Sequence, residues 1–580
     1  MGTTKPKPRD PTVGYRNVLE QDPVLLKEAE AALADKADQS RKKKNATQLI
    51  ELLEAYLSSG RLQLFHTPQQ EGFGTILVDD HRETWPLRSR VFRNWLAARS
   101  YDETGAVPNS QVLQDVLNVL TGRALFEGAE HKAFVRLAEH GGAIFLDLSD
   151  QRWRAVQITA TGWRITDNPP VRFRRARGMT ALPEPKPGGS AREIFRFVNI
   201  RKGYDEILLL AWLVAALYPI GSFPILALQG AQGSAKSTTA VVIRSVVDPS
   251  EAALNTIPRD ERDLVIAASN SHIISLDNLS GMKQWLSDAL CRVATGGGLR
   301  TRELYTDSEE IIFSTKRPVI TNGIAEIASR GDLLDRMIIL RLPMIDESAR
   351  REERVLFAEF EAARPRILGA LLDAVSAALS NIEHTKLPSL PRMADFALWV
   401  VAAAPALGFT EEDFLRAYYC NREDASATAL ESSLVARVLI EFAESLPPGG
   451  WQGAASELLE KLGQLATDEV RRDRCWPHSG QALSNAIARI EPHLRALGIC
   501  VQRFRVGKAG TRILKIQKVP KPSSASSATV SDDEGTAYAM ADDGPTTNPN
   551  PHVSSAAKPS ILNGAEEADS ADSALHDIPV

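Results

Sequence analysis

The stretch Gly230-Ala231-Gln232-Gly233-Ser234-Ala235-Lys236-Ser237 decides the fold of this chain of 580 residues. It follows the apolar run 224–228, which is typical of a buried strand, and it precedes the segment 238–243, which has the composition of a helix. Glycine lets such a loop bend closely around a ligand. Backbone N–H groups and the positive end of a helix both attract anions. The order of strand, loop and helix therefore predicts an α/β domain whose loop binds phosphate groups.

This order, with Lys-Ser at the end of the loop, is the pattern of a P-loop. In that pattern Lys236 reaches the β- and γ-phosphates of ATP, and Ser237 binds the Mg²⁺ ion. The pattern usually has glycine directly before the lysine. Because Ala235 stands there, we expect the loop to be helical from that residue. A Gly/Ser-rich turn without a ligand is the alternative. The residues expected to contact the nucleotide are Gly230, Gln232, Gly233, Ser234, Ala235, Lys236, Ser237 and Thr238.

A second apolar run, 273–276, ends in Asp277 about forty residues after the loop. An acidic side chain at the end of a strand beside the phosphates can bind Mg²⁺ or its water, as a Walker B element does. The next position often holds a second acid that activates water. Here it is Asn278, which cannot accept a proton in this way. Asp277, or an acid from elsewhere such as Asp288, would then act as the base.

Further polar residues follow at intervals that suit the same site. The next strand ends in Asn322, which can orient an attacking water against the γ-phosphate, although an Asn-Gly turn is the alternative. Arg330 and Arg336 are candidates for an arginine finger, which acts from the same or a neighbouring subunit. For these arginines, a surface ion pair with Asp332 or Asp335 is the alternative.

A basic turn lies between the second and third of these strands. Three consecutive glycines, 296–298, are followed by Arg300 and Arg302. A turn that is flexible and positively charged suits a loop that moves with the nucleotide and touches DNA. We therefore expect Arg300 and Arg302 to contact DNA.

The order of these motifs resembles that of superfamily-three helicases. The residues that carry the resemblance are 230–237, 277–278, 296–317, 321–322 and Arg336. They are similar to the ATPase core of phage, plasmid and poxvirus primase-helicases, and above all to bacterial ATP-binding proteins or DNA primase-helicases of integrated mobile elements. The resemblance covers residues 190–345 well. It implies an AAA+-class ATPase that forms a hexameric ring and moves 3′-to-5′ along single-stranded DNA.

The same resemblance places Arg300 and Arg302 on a hairpin that contacts DNA. Two positions depart from the family pattern, namely Ala235 in the loop and Asn278 after the Walker B aspartate. Both departures leave room for a slow or degenerate ATPase.

Composition narrows the class of protein further. A formal net charge of -5, with 43% hydrophobic and 24% charged residues, is typical of a folded globular chain. The four cysteines are far apart, which argues against a zinc site or disulfide framework and favours a cytoplasmic setting. The longest apolar run, 207–217, is too short to cross a membrane. We expect it to form a buried helix beside the P-loop strand and expect no membrane association.

Shifts in composition divide the chain into six expected parts. The N-terminus is rich in Lys, Pro and Asp, and the last sixty residues are acidic and rich in Ser and Ala. In chain order the parts are a basic segment that is disordered or loosely helical (1–45), an α+β domain that resembles the helicase-associated domain of the same family (46–190), a P-loop ATPase core (191–345), a helical lid (346–425), a winged-helix-like domain (426–519) and a disordered acidic tail (520–580).

Three helical segments and a basic hairpin predict the winged-helix-like domain. The helix that starts at Gly480 would be the recognition helix. The hairpin carries four basic residues that would contact DNA phosphates, although a unit that packs on a ring or binds protein is the alternative. These residues are Arg503, Arg505, Lys508 and Arg512.

These patterns predict a multidomain α/β protein with a central P-loop ATPase, and the resemblance implies that the ATPase is AAA+-like. The expected activity is that of a helicase or translocase, dependent on ATP and Mg²⁺, in the replication of a phage or plasmid-type element. The expected partners are single-stranded or forked DNA, further copies of the chain in a ring, and a separate primase or initiator. Two other classes stay open: an ATP-operated regulatory or defence module that assembles without unwinding, and a DNA-binding scaffold with a degenerate P-loop.

Overall fold

The computed structural model describes most of the chain between residues 23 and 519. The predicted acidic tail, Arg330 and Lys508 lie outside the described residues. The described residues combine helices and sheets in several parts, which confirms the expected multidomain α/β class. The ranges outside the description are 1–22, 106, 280, 303–309, 314–315, 324–330, 474–475, 507–510 and 520–580.

The first part consists of one sheet and three helices, with strand order β3-β2-β1-β4. Of the segment 1–45, for which disorder or a loose helix is expected, the structure describes a helix from Pro23 onwards. Proline suits the first turn of a helix, where its missing N–H would have no partner, and the Ala-, Leu- and Lys-rich residues after it favour helix. The elements are α1 (Pro23–Ser58), β1 (Leu62–His66), β2 (Gly72–Val78), β3 (His81–Pro86), α2 (Arg90–Thr104), α3 (Ser110–Phe126) and β4 (Ala129–Glu130).

A second, antiparallel sheet follows, with strand order β6-β7-β8-β9. In an antiparallel sheet with one face in water, buried and exposed residues alternate along each strand. This alternation is weak here, and every residue of β7 is buried. Two short strands, β5 and β10, pair separately with each other. The elements are β5 (Ala133–Phe134), β6 (Leu137–His140), β7 (Ala143–Asp147), β8 (Ala155–Thr159), β9 (Gly162–Thr166) and β10 (Arg172–Phe173).

The central sheet has four parallel strands in the order β12-β15-β11-β16. Three of them are the strands that the sequence predicts before the loop, before Asp277 and before Asn322. Two further strands, β13 and β14, pair as a separate antiparallel hairpin. The elements are a 3-10 helix (Ala191–Arg196), α4 (Tyr204–Ala216), β11 (Ile225–Gln229), α5 (Lys236–Val247), α6 (Glu261–Asn270), β12 (Ile274–Leu279), α7 (Gln284–Thr295), β13 (Leu299–Arg302), β14 (Glu310–Phe313), β15 (Val319–Gly323), α8 (Gly331–Leu334) and β16 (Met337–Arg341).

The apolar helix α4 lies at the centre of the largest hydrophobic core. All residues of its segment 208–216 are buried, and the indole N–H of Trp212 donates to the carbonyl of Pro224 at 2.8 Å. This hydrogen bond fixes the helix directly before β11, as the sequence predicts. None of the described helices is long and apolar enough to cross a membrane.

Three helices after the central sheet cover this core. They are α9 (Glu353–Asn381), α10 (Ala394–Leu407) and α11 (Glu411–Ser432). The side-chain amide of Asn421, on α11, is bonded to the edge strand β16: it accepts from the N–H of Ile339 at 3.0 Å and donates to the carbonyl of the same residue at 2.6 Å. One side chain thus takes the hydrogen-bonding place of a neighbouring strand.

The last described part contains three main helices and a three-stranded sheet in the order β17-β19-β18. The helix expected from Gly480 begins at that residue, and the basic hairpin is present, whereas β17 was not expected. The elements are α12 (Leu434–Glu444), β17 (Trp451–Gly453), α13 (Ala455–Leu465), α14 (Asp468–Arg472), α15 (Gly480–Ala496), β18 (Ile499–Val506) and β19 (Thr511–Lys518).

A buried ion pair joins the second sheet to the central one. The guanidinium of Arg136, directly before β6, donates to the carboxylate of Asp248, directly after α5, at 3.0 Å. The other oxygen of Asp248 accepts from the backbone N–H groups of His272 and Ile273, at 2.9 Å each, where β12 begins. His272 is also buried, and this burial lowers its pKa from 6.5 to about 4.

The buried histidine predicts a loss of stability in mild acid. Between pH 6.5 and pH 4 the unfolded chain binds a proton that the folded chain does not bind, so folding is favoured less as the pH falls. We expect His272 to lower the free energy of unfolding by about 2 kcal/mol between pH 7 and pH 5. Nε2 of His272 lies 2.7 Å from the carbonyl oxygen of Ala216, to which the amide of a glutamine can also donate. Urea titrations of the wild type and of His272→Gln therefore measure this difference. Equal pH dependence in the two proteins would contradict the prediction.

Candidate nucleotide-binding site

The loop 230–235 connects β11 to α5 and packs tightly at its start. A side chain at Gly230 would place its Cβ atom 2.5 Å from Oγ of Ser234 and 2.8 Å from the carbonyl oxygen of Leu342, so only glycine fits. Gln232 and Gly233 are exposed, and Ser234 is buried with its hydroxyl bonded to the carbonyl of Ala231 at 2.9 Å. The loop therefore has a fixed base and an exposed tip.

The residue before Lys236 has a conformation that the sequence analysis did not expect. Ala235 is left-handed, with φ 56° and ψ 35°, and not helical; the helix begins one residue later. This is the region that glycine occupies without strain, whereas an alanine there costs about 1–2 kcal/mol. The loop thus retains the left-handed backbone that glycine would favour, although the glycine itself is absent.

The N-terminus of α5 is open to a ligand. Ala235 is the N-cap residue and its side chain can accept no hydrogen bond, so no side chain caps the first turn. The N–H groups of such a turn have no partner inside the helix, and they favour anions. Ser237 is exposed in that turn, and Thr238 is partly exposed.

Lys236 bends back over the loop. Its ammonium group donates to the carbonyl oxygens of Gly230 and Ala231, at 2.8 Å each. These bonds hold a positive charge above the loop, where a phosphate oxygen could replace one of the carbonyls. The arrangement supplies a cation to an anion bound at the helix N-terminus.

The parallel sheet brings residues that are distant in sequence to this loop. The hydroxyl of Ser237 donates to the carboxylate of Asp277, at the end of β12, at 3.0 Å. Asn322 lies at the end of β15, and its Cα partner on β11 is Leu228. Hydroxyl and carboxylate oxygens are the ligands that Mg²⁺ prefers, so Ser237 and Asp277 could hold this ion together.

Asn278 and Asn322 contact each other. Asn278 is exposed and left-handed, with φ 55°, and its backbone N–H donates to the side-chain oxygen of Asn322 at 2.6 Å. Asparagine tolerates this conformation better than most residues. The register of β12 against β15 shifts between Leu276 and Leu279, which is where this contact forms. Asn278, which stands where a second acid is usual, therefore shapes the end of β12 through its backbone.

Asn322 also offers an unused donor. The residue is 1% exposed, and its side-chain nitrogen is buried with no hydrogen-bond partner in the described structure. An unpaired buried amide N–H group costs about 1–3 kcal/mol, and a bound oxygen would remove that cost. This observation fits a ligand or water at the edge of the sheet.

Asn199 is a part of the site that the sequence analysis missed. Its side-chain N–H₂ group donates to the carbonyl oxygens of Ser234, at 3.0 Å, and Pro343, at 2.7 Å. Its backbone N–H donates to the hydroxyl of Thr239 at 3.3 Å. Asn199 thus ties the loop to α5 and to Pro343, two residues after the end of β16. No local sequence pattern marks it, because its partners are more than thirty residues away.

Arg336 lies at the opposite edge of the sheet. It directly precedes β16, whose first residue, Met337, pairs with Ile225 at the start of β11. The loop follows the other end of β11, about 16 Å away at the usual rise of a strand. Arg336 therefore does not reach the loop of its own chain. Its predicted role as an arginine finger stays a prediction only for the loop of a neighbouring subunit.

The guanidinium of Arg336 is bonded to the carboxylate of Asp332, the alternative that the sequence left open. Arg392 binds the same carboxylate and also that of Asp335. Burial raises the pKa of Asp332, but the hydrogen bonds from Arg336 and Arg392 outweigh this effect and lower it. The charge of Arg336 is thus balanced inside the chain.

The predicted DNA-binding residues lie on two hairpins. Arg300 and Arg302 are on β13, where they pair with Ile312 and Glu310 of β14. On the C-terminal hairpin, Arg503 forms an ion pair with Glu491. The exposed residues there that lie directly opposite each other, on β18 and β19, are Arg505 and Arg512.

Two family models match the chain. Residues 192–425 match the actinomycete integrative conjugative element replication protein, and residues 435–530 match the AICE RepA C-terminal domain. Together these segments cover more than half of the sequence. The chain is a replication protein of a mobile genetic element. It belongs to the actinomycete integrative conjugative element replication protein family.

Solved structures give a weaker likeness. Apo structures of the NrS-1 C-terminal region match at 10–11% identity, cover 80% of this chain and 98% of the solved chain, and have TM-scores of 0.34–0.36. Similarity at this level supports no conclusion about the arrangement of this chain. No curated protein matches the sequence.

The family confirms one expectation from the sequence, a role in the replication of a mobile element. The finer expectations are superfamily-three helicase activity, ATP hydrolysis, the hexameric ring and the DNA contacts. These stay predictions.

The left-handed alanine predicts a stabilising substitution. Ala235→Gly removes the strain at φ 56°, and this gain exceeds the extra entropy of glycine in the unfolded chain, so we expect an increase of about 0.5–1 kcal/mol in the free energy of unfolding. Gly233→Ala is the matched control. Gly233 has φ 84° and nothing within 4 Å of an added Cβ, so it tests strain alone and should destabilise. Urea titrations measure both, and a destabilised Ala235→Gly protein would count against the strained loop.

Proposed function

We propose that this protein is a motor that hydrolyses ATP in the presence of Mg²⁺ and acts on DNA when the element is replicated in the cytoplasm. The observation that carries the proposal is the convergence of Lys236, Ser237, Asp277 and Asn322 at one edge of the parallel sheet. The hydroxyl of Ser237 is 3.0 Å from the carboxylate of Asp277, although forty residues separate them. This edge has a loop, an open helix N-terminus and a pair of oxygen ligands. Together they fit a nucleoside triphosphate with its metal ion.

Each residue at the edge has a distinct role in this proposal. The ammonium group of Lys236 exchanges its hydrogen bonds to the carbonyls of Gly230 and Ala231 for bonds to phosphate oxygens. Its positive charge then balances the negative charge of the phosphates. Ser237 and Asp277 hold the Mg²⁺ ion, which supplies charge stabilisation to the phosphates. Asn322 donates its free N–H₂ group to the attacking water or to the γ-phosphate. Asn278 contributes through its backbone and is not the base.

The C-terminal part supports contact with DNA. Its order of helix, strand, three helices (the second of them short) and two-stranded hairpin supports the winged-helix-like domain that we expect from the sequence. Arg505 and Arg512 lie opposite each other on the hairpin, and like charges in this position repel. Phosphate groups of DNA would remove the repulsion. Arg300 and Arg302, on the hairpin β13-β14, are proposed as the contacts that move with the nucleotide.

ATP hydrolysis, with and without single-stranded DNA, tests the proposal directly. We expect turnover that DNA stimulates. Lys236→Ala and Asp277→Asn should each lower it by at least about a hundredfold, because they remove phosphate and metal contacts. Lys283→Ala removes an exposed lysine of the same domain and should leave turnover unchanged.

The other outcomes separate the remaining classes. Turnover without stimulation by DNA would favour a regulatory or defence module that assembles but does not unwind. DNA binding with no turnover would favour a scaffold in which Ala235 and Asn278 mark a degenerate site. Turnover that survives Lys236→Ala would contradict the assignment of the loop.

A mixing experiment tests whether Arg336 acts in a neighbouring subunit. We expect Arg336→Ala to lower turnover by about a thousandfold, the usual effect of an arginine finger. Equal mixtures of inactive Arg336→Ala and inactive Lys236→Ala chains should regain part of the activity, because an intact loop then meets an intact arginine. Arg392 binds the same carboxylate, that of Asp332, as Arg336 does. Arg392→Ala therefore controls for the loss of an ion pair with Asp332, and it should retain activity. Mixtures without activity would exclude the role across a boundary.

A further inference from the structure

A polar cavity lies in the N-terminal half of the chain, between strands of the first sheet and the segment 167–173, which includes β10. Its volume is about 260 Å³. Pockets that bury drug-sized ligands have about 300–1,000 Å³, so this one suits a smaller group. It is lined by Gln63, Thr75, Arg82, Thr84, Trp153, Asp167, Asn168, Pro169, Val171, Arg172 and Phe173.

Two arginines give the cavity a positive charge. One N–H₂ group of Arg172 donates to the side-chain oxygen of Gln63 at 3.1 Å, but its Nε atom is buried with no hydrogen-bond partner in the described structure. Arg82 donates to the backbone carbonyl of Gly60 at 3.3 Å. Neither guanidinium forms an ion pair that the described residues show. The one acidic residue in the described lining, Asp167, is exposed.

The two charges also act on each other. Burial lowers the pKa of Arg172, and the nearby charge of Arg82 lowers it further. Buried cations are normally paired, because an unpaired charge is costly in a medium of low dielectric constant. The cavity therefore lacks the negative charge that would balance it.

Hydroxyl groups add donors to the same wall. The hydroxyls of Thr75 and Thr84 are buried and lie 3.0 Å apart on paired strands. In such a pair one O–H donates to the other oxygen, and the second hydrogen has no acceptor within the pair. Because the two guanidinium groups only donate, the polar lining as a whole is richer in donors than in acceptors.

Trp153 holds a strained position at this cavity. It is 8% exposed and has φ 55°, an outlier for a bulky aromatic residue. The guanidinium of Arg175 lies 4.0 Å from the centre of its ring, and the ring of Trp85 contacts it edge-on. Strain of this kind persists only where neighbours enforce it, and it is concentrated at ligand-binding sites. The wall is thus rigid before any ligand arrives.

We propose that this cavity binds a phosphate ester, carried either by the end of a DNA strand or by a free nucleotide. Arg82 and Arg172 would hold the phosphate from two sides, and the Nε–H group of Arg172 would gain the partner that it lacks. Guanidinium groups pair with phosphate oxygens through parallel N–H bonds, which fits a site of two arginines better than one of lysines. The site is separate from the loop 230–235 and does not depend on ATP hydrolysis.

Two binding measurements on the full chain, at constant ionic strength, test the proposal and separate the two sources. Fluorescence anisotropy compares one short single-stranded oligonucleotide with a 5′-phosphate, a 3′-phosphate or two hydroxyl ends. Calorimetry measures binding of a deoxynucleoside monophosphate. Inorganic phosphate as a competitor on the wild type provides a readout that needs no variant.

We expect a phosphorylated end to bind at least tenfold more tightly than hydroxyl ends, and inorganic phosphate to abolish this preference. Arg172→Gln and Arg82→Gln should each remove the preference, and Arg172→Lys should keep part of it and show that the fold survives. Arg88→Gln, which removes an exposed arginine of the same part, should keep it. A monophosphate that binds through the same arginines, without a preference among oligonucleotides, would identify a free nucleotide as the source.

The proposal is overturned if neither measurement shows binding that depends on the phosphate group. It is also overturned if Arg88→Gln weakens binding as much as Arg172→Gln does, because the effect would then be one of overall charge.

Discussion

The parallel direction of the four central strands is the constraint on which the candidate site depends. Because β12, β15, β11 and β16 run the same way, whatever follows each of them arrives at one edge of the sheet. The loop, Asp277 and Asn322 meet there by topology, and side-chain contacts then adjust the fit. The buried helix α4 and the ion pair between Arg136 and Asp248 keep the sheet in place from the other side.

Two residues with left-handed backbone stand on either side of this edge. Ala235 precedes the lysine, and Asn278 follows the carboxylate that binds Ser237. At both positions the residue type differs from what the motif usually has, and at Ala235 the backbone keeps the left-handed conformation that glycine favours. The difference between alanine and glycine therefore acts mainly on stability, through strain, and less on the geometry of the loop.

Much of this arrangement follows from short stretches of sequence. The apolar runs before Gly230, Asp277 and Asn322 are strands, and the hairpin with Arg503 is where the basic pattern suggests. Local patterns carry these elements because each one depends on residues close in sequence. The contacts of Asn199 and the unpaired nitrogen of Asn322 depend on distant partners, so no local pattern could indicate them. The conformation of Ala235 was mispredicted, since residue preference alone does not determine it.

The bond between Asn421 and β16 has a consequence for how copies of the chain can associate. An edge strand exposes unpaired N–H and C=O groups, and another strand can add to them and extend the sheet. At Ile339 both groups are already occupied by one amide side chain from α11. Lateral growth of the sheet is therefore blocked at this edge, and the chain is protected there against aggregation through strand addition. An ordered assembly that uses this edge therefore has to rely on contacts between side chains.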